Sequence, residues 1–334
     1  MYQIEDIRSL HLEGTSRCNA DCKMCMRQYL PQPGWRVDDM PVGEVLNKLG
    51  APFLSQLDSL LFCGNYGDPA CIPDLPTCVE NASRFMHSGR IVIETNGGVG
   101  KTTFWEDLAQ SSDLLEVVFN IDGLSDTLHK YRVNVRYTDV IWRAENFIKA
   151  GGRAIWAFLV FAHNEHQIDE AREVASHLGF SDFQVRISDR FRQNDGTRLN
   201  EYNGVRPPLN EKYRYPEGLG ERAYRDELVS SPIRCKACAN KSIYIDSTGT
   251  VFPCCFAASI RETTNVMGAG MVKMKLELLS EEDYPSLRTK TLKEIVGGPF
   301  FKWFDEVFPF PYRRPLVCSA VCGVGNFKIV RSNT

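Results

Sequence analysis

Three cysteines near the N-terminus have a spacing that suits an iron–sulfur cluster. Cys18, Cys22 and Cys25 form a C-x3-C-x2-C loop directly after an apolar segment. Three thiolates this close together do not complete a tetrahedral zinc site, and His11 precedes them on that segment. They can hold three corners of a [4Fe–4S] cubane and leave the fourth iron open. The loop therefore predicts a cluster with one exchangeable position.

This loop resembles the signature of the radical S-adenosylmethionine (SAM) superfamily, in which the triplet follows the first strand of a βα barrel. The resemblance implies that the open iron binds the amino and carboxylate groups of SAM. It also implies reductive cleavage of SAM to a 5′-deoxyadenosyl radical that abstracts a substrate hydrogen, with a flavodoxin- or ferredoxin-type electron donor. Met24 stands where the family usually has an aromatic residue, and the resemblance places it against the cofactor through soft apolar contact.

The ends of later strands resemble further motifs of this family. Residues 64–69 read Gly-Asn-Tyr-Gly-Asp-Pro, similar to the glycine-rich turn whose acidic residue receives the SAM amino group. Residues 94–97 and 120–123 resemble the polar strand ends that contact the ribose and the methionyl carboxylate. The alternative is that Asn and Asp there only cap the following helices. From these segments the resemblance assigns to SAM the residues Asn65, Tyr66, Gly67, Asp68, Thr95, Asn96, Asn120 and Asp122.

Two more positions complete the cofactor site that the resemblance implies. Arg132 stands where relatives carry an arginine near the SAM carboxylate. Asn164 and Ile168, after the fifth predicted strand, are similar to the turn that packs on adenine.

A second group of cysteines lies towards the C-terminus. The element Gly249-x4-Cys254, with upstream cysteines and a distant closing pair, resembles the twitch and SPASM modules that bind auxiliary [4Fe–4S] clusters. A full SPASM module needs cysteines for two clusters, so the six present here favour the single-cluster twitch form. The ligands that the resemblance implies are Cys235, Cys254, Cys318 and Cys322, with Cys238 as an alternate.

Several cysteines have another possible role. On an extended strand, Cys255 would point away from a ligand at Cys254. A structural zinc is the alternative to the auxiliary cluster, because C-x2-C and C-x3-C across a hairpin also form a zinc ribbon. Cys63, Cys71 and Cys78 lack partner spacing and are predicted to pack in the core.

The elements that position these residues follow an α/β pattern. Six short apolar runs, rich in Val, Ile, Leu or Phe, alternate with amphipathic stretches, which predicts parallel strands at residues 9–13, 59–63, 90–95, 115–121, 154–161 and 183–187. Residues 140–150 and 167–178 are the clearest helices, each followed by glycine. The fold class is therefore a partial (βα)6 TIM-like barrel, whose chemistry is expected at the carboxyl ends of the strands.

The chain is predicted to divide at a polar, proline-containing segment. Residues 1–190 form the barrel, 191–231 a linker, and 232–334 an auxiliary-cluster module with a β-hairpin and a short helix at 292–296. Because the tail cysteines lie outside the barrel motif, the first cluster is expected to bind and cleave SAM without them.

The composition gives no support to a nucleic-acid or membrane partner. Net charge is −3, from 39 basic and 42 acidic residues, so no strong field favours nucleic acid. No apolar run is long enough to cross a bilayer, and residues 1–8 do not resemble a secretory signal. A cytoplasmic location without a membrane partner is expected, where thiols stay reduced, so the twelve cysteines are interpreted as metal ligands or core residues.

The sequence thus predicts a radical SAM enzyme that abstracts hydrogen from a substrate at the mouth of the barrel. The auxiliary cluster would either accept an electron or coordinate the substrate. The first strand begins within ten residues of Met1, which leaves no room for an N-terminal peptide-binding domain and favours a small-molecule substrate over a peptide. The alternative from a different functional class is a non-catalytic electron carrier or zinc-stabilised scaffold. In an electron carrier, however, all four irons of the cluster would have protein ligands.

Overall fold

The computed structural model describes residues 3–29, 38–188, 190–191, 198–214, 230, 232–259 and 269–323. Residues 192–197, 215–229 and 231 of the predicted linker therefore lie outside the described residues, as do residues 260–268 and 324–334 of the predicted module. Within those described ranges, no helix has the length and apolar character that a membrane span requires.

Six parallel strands form the centre of the molecule and stand side by side in chain order. Each boundary lies within one residue of the predicted one, because buried parallel strands read as continuous apolar runs. The partial (βα)6 barrel predicted from the sequence is confirmed. The strands are β1 Ser9–Leu12, β2 Ser59–Phe62, β3 Arg90–Thr95, β4 Leu115–Asn120, β5 Arg153–Val160 and β6 Asp182–Ile187.

Helices follow the strands and cover the outside of the sheet. The two helices predicted most clearly correspond to α5 Tyr137–Lys149 and α6 Ile168–Leu178, and α6 is capped by Gly179, whose φ of +85° is left-handed. On α6, Ile168, Ala171 and Ala175 are buried, at a spacing that forms one helix face. The helices of this part are α1 Val42–Ser55, α2 Leu75–Ser83, α3 Thr102–Gln110, α4 Leu128–Tyr131, α5 Tyr137–Lys149 and α6 Ile168–Leu178.

The inner face of the sheet changes from apolar to polar along the strands. Near its middle, Val92, Val118, Ile155 and Ala157 form a small apolar cluster. Two residues further along β3 and β4 stand Glu94 and Asn120, on the same face because side chains alternate along a strand. Arg186 of β6 reaches Glu94 of β3 at 3.0 Å, across two intervening strands. The sheet is therefore curved around a polar lumen at its carboxyl end.

The predicted hairpin is formed by β7 Ser242–Ile245 and β8 Val251–Phe252, which pair in antiparallel. It is not detached from the barrel. β7 pairs in parallel with β1, Leu10 opposite Ile243 and Leu12 opposite Ile245, so the sheet continues without interruption from β1 into the hairpin. The physical reason is that β1 would otherwise expose an unpaired backbone edge, which the apolar β7 covers.

Short helices pack around this hairpin. The predicted helix at 292–296 is confirmed and begins with a capping box between Thr291 and Glu294. Phe300 is buried and lies against Phe252 of β8, with 5.9 Å between ring centroids. The helices of this region are α7 Lys236–Ala239, α8 Cys255–Ser259, α9 Ala269–Glu277, α10 Leu292–Val296, α11 Pro299–Val307 and α12 Leu316–Cys322.

Candidate active site

The loop after β1, residues 14–25, is fixed by backbone hydrogen bonds to the last residue of α4 and to the segment that follows it. The amide of Asp21 donates to the carbonyl of Val133 at 3.0 Å, and the amide of Lys23 donates to that of Tyr131 at 3.2 Å. These bonds pair the loop with the neighbouring segment. The three cysteines of the loop are therefore held at the carboxyl end of the barrel.

Polar groups surround the sulfur atoms of the loop. The amide of Ala20 donates to Cys18 Sγ at 3.4 Å, and Asn96 Nδ2 lies 3.7 Å from the same sulfur. Arg132 Nη1 lies 3.7 Å from Cys22 Sγ. Hydrogen bonds and positive charge near a thiolate stabilise it and tune a bound cluster.

The environment of these cysteines fits a metal cluster. Burial raises the pKa of the Cys18 thiol to about 12, and burial raises the pKa of Cys22 although the Arg132 charge opposes it. The positive charge of bound iron would offset this rise in pKa, because it favours the thiolate. Asn19 Nδ2 beside them is a buried donor that has no acceptor among the described residues. Among the described residues, no group of three Cys, His, Asp or Glu side chains could bind a single metal ion. A cubane does not need such a group, because each thiolate binds a different iron atom.

The cysteines open onto a cavity of about 350 Å³ at the carboxyl end of the strands. Eight residues that the sequence assigned to SAM line it together with the three cysteines of the loop. The cavity-lining residues from the predicted site are Cys18, Cys22, Cys25, Asn65, Tyr66, Gly67, Asp68, Thr95, Asn96, Asn120 and Arg132.

The turn after β2 is packed too closely for side chains at its glycines. A Cβ atom at Gly67 would lie 1.7 Å from the carbonyl oxygen of Thr15, and one at Gly64 would lie 2.8 Å from Glu13 Oε1. Glycine is required here because the backbone of the turn approaches the cluster loop directly. The turn and the loop therefore form one wall of the cavity.

Asp68 ends this turn and is buried, with 5% of its surface exposed. One carboxylate oxygen accepts from Thr95 Oγ1 at 2.7 Å and from the amide of Ala70 at 2.9 Å. The other accepts from the amide and from Nδ2 of Asn96. Burial raises the pKa of Asp68, while these hydrogen bonds oppose the rise. Asp68 therefore joins the turn after β2 to the end of β3.

Three of the residues assigned to SAM lie behind the cavity wall. Asp122 accepts from Arg132 Nε at 2.7 Å and so orients that guanidinium. Asn164 is fully buried and donates to the carbonyls of Asp122 and Leu159, at 2.9 Å each. Met24 is 1% exposed and packs in the core. These side chains support the cavity and do not line it.

Sequence reasoning missed a charged pair in the cavity. Arg186 pairs with both carboxylate oxygens of Glu94, at 3.0 and 3.1 Å, and donates to Asn120 Oδ1 at 3.3 Å. The alternation of side chains along β3 and β6 is the signal that points to these positions.

The three cysteines expected in the core have different surroundings. Cys78 is a core residue as predicted. Cys63 instead lines the first cavity, because it directly follows β2 at the carboxyl end of the sheet. Cys71 is only partly buried, since it ends a short 3-10 helix after the glycine turn.

The C-terminal cysteines gather around a second, smaller cavity of about 160 Å³. Backbone amides donate to two of the sulfurs: Cys238 N to Cys235 Sγ and Ala257 N to Cys254 Sγ, both at 3.4 Å. Burial raises the pKa of Cys318 to about 12. This donor set of clustered, partly buried thiols fits a second iron–sulfur cluster. The cysteines that line the cavity are Cys235, Cys254, Cys255, Cys318 and Cys322.

One expectation about this region needs correction. Cys255 was expected to lie on an extended strand and point away, but it begins α8 and lines the second cavity. The reason is that β8 ends at Phe252, so the alternation rule does not apply to this pair. Cys238, the alternate ligand, does not line the cavity, although its thiol interacts with Cys235.

Comparison with known families and structures gives a consistent result. The model of the radical SAM superfamily matches residues 12–175, and the model of the SPASM iron–sulfur cluster-binding domain matches residues 235–323. Together the two models span most of the barrel and the region of the second cavity.

The chain is also similar in fold to solved structures. A native anSMEcpe structure with bound AdoMet matches with a TM-score of 0.57 and 15% identity, over 94% of this chain and 88% of that one. SuiB of Streptococcus suis bound to its precursor peptide SuiA matches with a TM-score of 0.52 and 18% identity, over 93% and 76%. In another SuiB structure the match has a TM-score of 0.53 and 17% identity, and covers 75% of this chain and 61% of SuiB, less than two thirds of its length.

Proposed function

Because this chain belongs to the radical SAM superfamily and carries a SPASM iron–sulfur cluster-binding domain, we propose that it oxidises a polar substrate held in the barrel lumen. The observation that supports this most directly is the shared cavity of about 350 Å³. It brings together the three cysteines of the loop, the polar strand ends and the Glu94–Arg186 pair.

The chain is an enzyme that uses SAM and [4Fe–4S] clusters. When bound at Cys18, Cys22 and Cys25, the first cluster supplies the electron that cleaves SAM into methionine and a 5′-deoxyadenosyl radical, which abstracts a substrate hydrogen. Arg132 would hold a negative charge next to the cluster, because Asp122 fixes its guanidinium and one nitrogen faces Cys22 Sγ. That charge is the SAM carboxylate in this proposal.

Asp68 would act in SAM binding by positioning its neighbours. Its two oxygens already accept four hydrogen bonds, which is about the number of lone pairs that a carboxylate offers. The SAM amino group is then left to the backbone carbonyls of the turn. Thr95 and Asn96 remain at the cavity surface, held by Asp68, to contact the rest of the cofactor.

The second cluster would accept an electron from the substrate and not bind it. Six cysteines lie in or next to the second cavity, namely Cys235, Cys238, Cys254, Cys255, Cys318 and Cys322, and a cubane needs four. A cluster with four thiolate ligands has no open iron. This supports an oxidation, in which the second cluster removes the remaining electron when bound.

The substrate class follows from the lumen. The Glu94–Arg186 pair and Asn120 offer charged and amide groups to a ligand, which suits a small polar molecule with hydroxyl, amino or carboxylate groups. A peptide is the second candidate, because similar folds are bound to the precursor peptide SuiA and to the Cp18Cys peptide. In both cases a flavodoxin- or ferredoxin-type protein is the proposed electron donor.

The test uses anaerobic holoenzyme with SAM and a chemical or flavodoxin reductant. Fractions of small polar metabolites and of peptides, prepared in deuterated form, are added separately. We expect 5′-deoxyadenosine to gain deuterium only with the small-molecule fraction. Deuterium only from the peptide fraction would move the assignment to the second candidate, and no 5′-deoxyadenosine under any condition would reject the function.

A further inference from the structure

A buried carboxylate connects the two cavities. Glu13 directly follows β1 and is 1% exposed. Its Oε1 atom accepts from the amide of Tyr66 at 2.8 Å and from that of Gly67 at 3.1 Å. Glu13 therefore fixes the backbone of the glycine turn that forms one wall of the first cavity.

The other oxygen of the Glu13 carboxylate is bound by the C-terminal domain, which is the SPASM region of residues 235–323. Tyr244 on β7 is fully buried and donates its phenolic hydroxyl to Glu13 Oε2. Burial and the Glu13 charge raise the pKa of Tyr244 well above its usual range, so the hydroxyl stays protonated. Tyr244 also lines the second cavity, next to His11. One carboxylate thus touches both the turn and a residue of the second site.

A second connection runs in parallel. Asn65 in the turn donates from Nδ2 to the Tyr244 hydroxyl at 3.3 Å and to the carbonyl of Cys255 at 3.0 Å. Cys255 follows Cys254, which lines the second cavity. The turn is therefore bonded to the C-terminal domain through both a side chain and the backbone next to a proposed cluster ligand.

From this geometry we propose that Glu13, Asn65 and Tyr244 are positioning residues that make SAM affinity depend on the C-terminal domain. The proposal rests on the proposed function, because it takes residues 64–68 as part of the SAM site. The turn contains Gly64 and Gly67, which contribute no side chains to hold it. Glu13 holds the backbone of the turn from outside, Asn65 extends from the turn to the C-terminal domain, and both side chains are hydrogen-bonded to Tyr244.

The coupling must act in both directions. If this contact makes SAM affinity depend on the oxidation state of the second cluster, SAM binding must shift the midpoint potential of that cluster by the same free energy. A change in the second cluster on SAM binding is thus a readout independent of turnover. It appears as a shift in that cluster's paramagnetic resonance signal or midpoint potential.

The test is Tyr244→Phe in the holoenzyme, because this change removes the hydroxyl and keeps the ring against His11 and Phe252. Tyr244→Phe removes one partner of a buried hydrogen bond to a charged group. We therefore expect SAM binding, measured by calorimetry, to be roughly tenfold weaker, with unchanged iron content. Glu13→Gln should weaken binding less, since its amide can keep an oxygen towards the turn and a nitrogen towards Tyr244. Tyr312→Phe is the matched control, because Tyr312 is 86% exposed.

The outcomes separate the proposal from the function on which it rests. Asp68→Asn is measured alongside, since it changes the turn without touching Glu13. Weaker SAM binding in both Asp68→Asn and Tyr244→Phe, with loss of the SAM-dependent shift in Tyr244→Phe, supports the coupling. Weaker binding in Asp68→Asn alone overturns the coupling and leaves the SAM site standing. Unchanged binding in both rejects the assignment of the turn to SAM.

If Tyr244→Phe loses iron, Asn65→Ser replaces it, since that change leaves the Tyr244–Glu13 hydrogen bond in place. Because Asn65 also lines the first cavity, the readout is then the second cluster: full iron content with loss of the SAM-dependent shift supports the coupling, and full iron content with the shift retained overturns it.

Discussion

Asn96 donates two hydrogen bonds to one carboxylate oxygen of Asp68, from its backbone nitrogen at 2.7 Å and from Nδ2 at 2.6 Å. The same Nδ2 atom lies 3.0 Å from Asn19 Oδ1 in the cluster loop. Asp68 therefore orders a side chain that stands between the turn after β2 and the cysteine loop. A ligand in the cavity meets Asn96 in an orientation that Asp68 has already set.

Replacing Asp68 should weaken SAM binding through Asn96. In Asp68→Asn, the new amide group would face donors of Asn96 or Thr95 and break at least one charge-assisted hydrogen bond, so we expect SAM binding about tenfold weaker. Calorimetry on anaerobic holoenzyme measures this. Asp107→Asn, at an exposed position of α3, is the matched control. Equal affinities in Asp68→Asn and wild type would contradict the positioning role.

The metal content should separate the two cysteine groups. Reconstituted protein is expected to hold about eight irons, as two cubanes require, and Cys18→Ala/Cys22→Ala/Cys25→Ala should remove about half. Iron and zinc are both measured on anaerobically purified protein. Zinc together with only about four irons in the full-length protein would show that the second site is a structural zinc.

Arg132 should contribute to stability as well as to the site. It forms an ion pair with Asp122, whose side chain is 1% exposed, and Arg132→Met would leave that carboxylate without its cation. Breaking a buried pair from one side costs roughly 3 kcal/mol of unfolding free energy. Arg132→Met/Asp122→Leu should recover part of this loss. Denaturant unfolding measures both variants, and a double variant no more stable than the single one would argue against the pair as the cause.

The sequence predicts the barrel well and the links between its parts poorly. Apolar runs with helices between them predict the six strands to within one residue, because each signal is local. The cysteine loop and residues 64–69 are both recognised from the spacing of nearby residues. They follow β1 and β2, and because these strands are parallel, both segments lie at the same edge of the sheet.

The contact between Glu13 and Tyr244 has no such signal, since 231 positions separate them. The expectation that the first cluster needs nothing from the C-terminal region came from treating that region as a separate module. Pairing of β7 with β1 depends on a sheet edge that periodicity does not reveal. The sequence predicts that the first cluster acts without the C-terminal region. The contacts in the structure instead favour dependence of the first site on that region.

Acid should destabilise the protein partly through His11. Burial lowers the pKa of His11 to about 4, while its ring nitrogen Nε2 bonds the carbonyl of Cys63 at 2.7 Å. The folded state thus keeps His11 neutral, whereas the unfolded chain gains a proton below about pH 6.5. Stability is therefore present above that pH and is lost as the pH falls towards 4, by about 2 kcal/mol between pH 7 and 5.

Denaturant unfolding of His11→Gln at these two pH values measures this contribution. The variant should lose about 2 kcal/mol less than wild type on going from pH 7 to about 5, because glutamine does not titrate. His87→Gln, at an exposed position, is the control and should follow wild type. Parallel losses in His11→Gln and wild type would show that other groups cause the acid sensitivity.

The Glu94–Arg186 pair should determine what the lumen accepts. Both side chains are about a quarter exposed, at 26% and 23%, and they line the cavity beside the cluster cysteines. Removing both charges together, in Glu94→Gln/Arg186→Gln, avoids leaving either one unpaired. The double variant should therefore keep SAM binding within about twofold of wild type, since Asn96 and Arg132, the residues proposed to contact SAM, are unchanged.

Turnover in this variant should fall, because hydrogen bonds to charged groups contribute about 1.5–3 kcal/mol, or roughly tenfold to a hundredfold in kcat/KM. We expect 5′-deoxyadenosine to form without matching substrate consumption. Glu116→Gln/Arg153→Gln provides the matched control, because that pair, 3.0 Å apart, joins β4 and β5 near their amino ends, away from the cavity. If both double variants turn over the substrate as wild type does, the substrate does not contact the Glu94–Arg186 pair, and its binding groups lie elsewhere along the cavity.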